Sequence, residues 1–110
     1  MKVRVALALA LAGLATPHFS AFAATTHTAK RVEGILADSR PCVFFTLDGV
    51  SLADALVPDS PYFALSKSHA SYAELNALLL TAKATGRPVT ITTSGSTVCG
   101  HAAVEFVLMT

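Results

Sequence analysis

Between Ser71 and Pro88, Leu75, Leu78, Leu79 and Ala82 recur at helical spacing and share one face, which predicts an amphipathic helix with that stripe turned to a core. Ser71-Tyr72-Ala73-Glu74 has the form of a capping box, and Gly86 followed by Pro88 closes the element. Ala77, Leu80 and Ala84 fall nearly opposite the stripe and are candidates for contact with another subunit or a partner.

Elsewhere the pattern shortens to alternation. Lys30–Ala37 predicts a first strand with Val32, Gly34 and Leu36 on one side, after a small polar start over Ala24–Ala29. Asp38-Ser39-Arg40-Pro41 reads as a turn, and a second strand starts at Cys42. There Phe44 and Phe45 face opposite sides, one towards the core and the other towards a cover or partner. The connection from Asp48 to Pro61 is long for a hairpin and predicts a small flap containing Leu52, Leu56 and Val57. Pro61–Lys67 predicts a third strand that carries Tyr62. After the helix, Arg87–Gly95 predicts a fourth strand that turns at Ser94-Gly95. His101–Thr110 predicts a fifth, with Ala102, Val104, Phe106 and Leu108 on one face. The order β-β-β-α-β-β is that of a mainly β, OB-fold-like five-stranded Greek-key barrel.

The N-terminus changes the setting. A basic start at Lys2 and Arg4, an apolar run from Val5 to Leu14 and small residues at Ala21 and Ala23 predict a secretory signal peptide over residues 1–23. Its apolar run is too short to span a bilayer. Residues 24–110 then form one small domain, exported to the periplasm or secreted, with no membrane span after cleavage. Loss of Lys2 and Arg4 leaves six basic against seven acidic residues. That balance offers no basic stripe for nucleic-acid phosphates.

An exported chain of this size with two cysteines, Cys42 and Cys99, favours a disulfide between them. A zinc site would need more ligands than Cys99 and His101 supply, since His27 and His69 are scattered single residues. A thiol nucleophile would need a base, an orienting group and escape from pairing. No G-x-S-x-G, H-E-x-x-H or phosphate-loop motif is present, so no catalytic residue, metal or cofactor is expected.

The runs GILADSRPCVFFTLDG and SYAELNALLLTAKATGRPVTI resemble the B subunits of the subtilase cytotoxin and typhoid toxin group. The resemblance implies an exported OB-fold protein, assembly into a ring of five copies, and recognition of sialylated glycans. Sugar sites combine an aromatic platform with short polar groups, and OB-folds bind on the sheet face and flanking loops. Asp38, Ser39 and Arg40 in the first turn, with Tyr62, are therefore the candidate ligand contacts. The alternative is a monomeric periplasmic structural or inhibitory protein that meets a partner protein through the Leu80 side of the helix or the flap.

Overall fold

The structure, a computed structural model, describes residues 24–110, so the expected signal peptide lies outside the described residues. Six strands and one helix follow in the order β1 (Thr26–Lys30), β2 (Val32–Ala37), β3 (Cys42–Leu47), β4 (Phe63–Ser66), α1 (Tyr72–Thr85), β5 (Val89–Val98) and β6 (His101–Met109). They form one mixed sheet in the order β1-β5-β6-β4-β3-β2, antiparallel except for the β4–β6 pair. The fold is mainly β with one helix, as expected, but it has six strands rather than five and the sheet is not closed.

The additional strand comes from the polar start of the chain. Thr26–Lys30 contains β-branched threonines and pairs with β5, whereas Val32–Ala37 pairs with β3 at the other end of the sheet. Ala29 takes a positive φ of 53° where the β1 register slips, and Arg31 alone joins the two strands. The expected first strand is therefore broken at its beginning.

Extra residues also explain two corrections to the faces. On β2, Glu33 has no counterpart between the Val32–Leu47 and Gly34–Thr46 pairs, and such a bulge reverses the alternation beyond it. Ile35 consequently packs on the core while Leu36 faces out. On β6, Glu105 has no counterpart between the Thr92–Phe106 and Thr93–Val104 pairs. Val107 joins the core, and Phe106 and Leu108 are left about half exposed, at 46% and 50%.

The turn expected at Ser94-Gly95 is a further irregularity within β5, whose strand runs on to Val98. Ser96 N donates to Ser94 Oγ, and Gly95 supplies a φ of 84°. The hairpin turns instead at Cys99-Gly100, between the paired Val98 and His101. Both turn residues have positive φ, as the type I′ two-residue hairpin loop requires.

The core lies between one face of the sheet and α1. Leu75, Leu79 and Ala82 are buried with Val43, Phe45, Leu47, Phe63, Leu65, Val89, Ile91, Ala102, Val104 and Val107, and Leu78 packs at the edge. Phe45 and Phe63 stack with centroids 5.1 Å apart. Gly86 ends the helix at a φ of 73°, its N–H donating to Ala82 O. The capping box does not form, because Ser71 makes no side-chain cap bond. His69 acts there instead: Ser71 N donates to Nδ1, and Nε2–H donates to the carbonyl of the bulged Glu105. One imidazole thereby ties the helix start to β6.

The flap is tied down by a buried carboxylate. Asp54 is 4% exposed; its Oδ2 accepts from Thr93 Oγ1 at 2.7 Å and its Oδ1 from Leu56 N at 3.1 Å. Thr93 Oγ1 in turn accepts from Thr25 N, and His27 Nε2–H donates to Ala53 O. Flap, first strand and β5 are thus joined through polar groups whose bonding needs are met internally.

Candidate functional site

The two faces of β3 are both covered, by different things. Val43, Phe45 and Leu47 enter the main core, while Cys42 and Phe44 point to the opposite side and form a second cluster with Ala64, edged by Val98 and Cys99. The Cys42–Cys99 disulfide is formed, with a Cα–Cα distance of 6.6 Å that fits ordinary disulfide geometry. It joins the start of β3 to the β5–β6 turn.

This outer cluster supports a row of side chains that reaches the surface. Phe44 is 1% exposed because the Arg40 guanidinium lies over its ring, Cζ 4.1 Å from the centroid, and His101 meets it edge-on at 5.4 Å. Tyr62 follows His101, with centroids 5.6 Å apart, and is 40% exposed. Ser60 Oγ accepts from Tyr62 N and lies 3.3 Å from His101 Nδ1. Arg40, Phe44, His101 and Tyr62 therefore run as one strip across the ends of β3, β4 and β6. Across the strands, Leu36, Phe44, Ala64 and Ala103 are successive partners, so exposed Leu36 flanks the strip while Ala64 is buried within the cluster that supports it.

The first turn fixes the cationic end. Asp38 Oδ1 accepts from Arg40 N at 2.9 Å, the turn an aspartate makes with the amide two residues on. Arg40 Nε donates to both carboxylate oxygens, and Nη2 donates to Oδ2 at 2.6 Å. The Arg40 side chain, then its amide, hold the Asp38 carboxyl below its usual range, and Asp38 pushes the Arg40 guanidinium higher still. Both groups are at the surface, so this pair contributes geometry more than stability. A guanidinium held by a carboxylate and a ring has little freedom left.

The candidate contacts from the sequence divide accordingly. Arg40 and Tyr62 belong to one strip, although Tyr62 immediately precedes β4 rather than lying on it; Asp38 orients Arg40; Ser39 is an exposed bend residue from which the strip takes no side chain. Phe44 and His101 are not among the four candidate contacts, although the sequence marks both. The available signal for Phe44 was its outward direction beside an inward phenylalanine, and for His101 its position just past Cys99.

The chain matches no protein-family model and no curated protein.

Two other surfaces remain. The flap holds an open depression lined by Ser51, Leu52, Ala55, Pro58 and Asp59, which offers one carboxylate and mostly small or aliphatic walls. Ala77, Leu80 and Ala84 are exposed on α1, Leu80 at 49%. Among the described residues no three His, Cys, Asp or Glu residues are grouped to hold a metal ion, and no helix is long and apolar enough to cross a membrane. The strip is the surface that combines aromatic area with directed polar groups, the combination that ligand sites use.

Proposed function

We propose that this chain is a small exported, non-enzymatic binding module, similar to a toxin B subunit, that receives a glycan or protein ligand on the Arg40–Phe44–His101–Tyr62 strip. The observation that carries the reading is the continuity of that strip: an immobilised cation, a buried ring, an imidazole and a half-exposed tyrosine in sequence. Export is supported by the signal-peptide pattern together with the Cys42–Cys99 bridge, since disulfides persist in oxidising compartments. An OB-fold-like build is supported by the single-residue link at Arg31: with β1 and β2 taken as halves of one bent strand, the count becomes five strands and one helix.

Glycan-array binding of the mature protein tests the reading. Binding that falls at least tenfold in both Arg40→Ala and Tyr62→Ala, about 1.4 kcal/mol, supports it, and binding unaffected by either removes the strip from consideration.

A second reading is favoured by the exposed Leu80, Ala77 and Ala84 face: a monomeric periplasmic structural or inhibitory protein docking a partner through that helix. Native mass spectrometry separates the two. A ring-forming B-like subunit assembles alone, into a pentamer by resemblance, whereas the alternative stays monomeric until its partner is added.

A further inference from the structure

The tip of the β5–β6 hairpin is held differently from the rest of the sheet. As far as Thr93, β5 has β6 on one side and β1 on the other, where Thr93 N donates to Thr25 O. Beyond that point no strand flanks its outer side among the described residues. On the inner side Ser94, Gly95 and Ser96 stand opposite Ala103 alone, and the ladder resumes with the Thr97–Ala102 and Val98–His101 pairs before the turn. The serines bond to each other rather than to a neighbouring strand. Ser94, Ser96, Thr97 and Gly100 are exposed, and the partly buried Val98 and Cys99 pack on the second cluster, outside the main core. Cys99 also holds a φ of 52°, a left-handed conformation that a residue with a Cβ adopts at a cost. β6, by contrast, is anchored to β4 through Ala102 and Ala103. The bond to the fully buried Cys42 is therefore the principal tie between Ser94–Gly100 and the body of the protein.

Resting on the binding-module reading for what the strip is used for, we infer that the Cys42–Cys99 bridge is a redox-sensitive latch on that strip. Oxidised, it holds Ser94–Gly100 shut against Phe44; reduced, it lets this tip open and reclose as a local unit while the main core stays folded. A dithiol supplies the two electrons. Its thiolate attacks Sγ of Cys99, the partly exposed end of the bond, and Cys42 leaves as a thiolate that takes up a proton. The second thiol then displaces Cys99 from the mixed disulfide, so the reductant ends as a disulfide and the protein as two thiols. Each opening breaks the Val98–His101 pair and lifts Val98 and Cys99 from the Phe44 cluster. The edge-on contact of Phe44 with His101, at the middle of the strip, loses its support at the same moment.

The test is alkylation of Cys42 by iodoacetamide, read by mass, in the mature protein reduced with a dithiol and no denaturant, together with amide exchange across the sheet. Local and global opening separate by their response to low urea, since a local opening exposes little surface and global unfolding exposes all of it. The expected result is a Cys42 rate at least about a hundredfold above that allowed by global unfolding, and insensitive to urea below the unfolding transition. Thr97 and Val98 amides should share that insensitivity and slow at least about tenfold when the bridge is re-formed, while Leu79 and Ile91 amides keep a steep urea dependence. A Cys42 rate with the steep dependence of global unfolding overturns the latch and makes the bridge a support of the whole fold. Loss of the far-UV circular dichroism on reduction alone overturns it as well, as does a bond that the dithiol leaves intact in the folded protein. None of these readouts needs a ligand: failure on the glycan array sinks the binding module and leaves the opening standing, whereas failure here leaves the binding module standing.

Discussion

Reducing the Cys42–Cys99 bridge isolates what a single covalent link contributes to this small fold. The two cysteines are 57 residues apart, and closing a loop of that length lowers the entropy of the unfolded chain by an amount worth about 4 kcal/mol at 25 °C. Domains of this size are stable by about 5–15 kcal/mol in total, so the bridge accounts for a large share. Reduction is the cleaner perturbation because both sulfurs stay in the second cluster, whereas Cys42→Ala would also vacate a fully buried site beside Phe44. At about 4–8 °C per kcal/mol, the reduced protein should melt roughly 16–32 °C lower. The chain has no tryptophan, so far-UV circular dichroism during urea unfolding is the natural assay. An oxidised-to-reduced difference of about 4 kcal/mol, with a somewhat steeper denaturant dependence in the reduced form, is expected. A difference below about 1 kcal/mol would refute the loop-entropy reasoning and shift the weight of stability to the two hydrophobic clusters.

Phe45→Ala, which removes a fully buried ring stacked on Phe63, should destabilise by about 3–5 kcal/mol, while Phe106→Ala on the outer face should stay within about 0.5 kcal/mol. The same urea titration checks both, and equal effects would contradict the bulge at Glu105. Asp54→Ala leaves Thr93 Oγ1 and Leu56 N without their acceptor and should cost about 1–3 kcal/mol, with faster amide exchange at Leu56. Unchanged exchange there would show that other contacts hold the flap. The folded Asp38 carboxyl titrates below its unfolded range, so its pairing with Arg40 is complete above that range and is lost as pH falls through the lower folded value. Side-chain carboxyl NMR should show Asp38 protonating at lower pH than an unpaired aspartate, with Arg40→Ala narrowing the difference and the retained residue-40 amide keeping part of it.

The helix was legible because its signal is local: the leucine stripe and Gly86 act within a few turns of one another, and both stand as expected. Its start was less so, since Ser71 and Glu74 match a capping box while His69 provides the observed contact from just outside the motif. Strand faces failed where one residue was inserted against a partner strand, at Glu33 and at Glu105. A bulge is a relation between two strands, and neither strand's own alternation records it. β1 was hidden for a similar reason: its threonines become a strand by pairing with β5, far along the chain. At the site, Arg40 and Tyr62 were legible as types of residue suited to a ligand. Their connection runs through Phe44 and His101, and only the disulfide and the sheet register bring those together.

The pairing of β1 with β5 also sets when the chain can fold. Thr26 and Thr92 share a hydrogen bond across 66 residues, and β4 gains its parallel neighbour only from β6. Two of the five strand pairings therefore join strands that are not neighbours in sequence, and non-local pairing of that kind slows folding towards milliseconds to seconds. During synthesis at about 5–20 residues per second, nothing beyond the β2–β3–β4 segment and the helix can pair until β5 and β6 have been made. The sheet is completed only by the last two strands made, and the Cys42–Cys99 bridge, whose second cysteine lies between those strands, closes late as well.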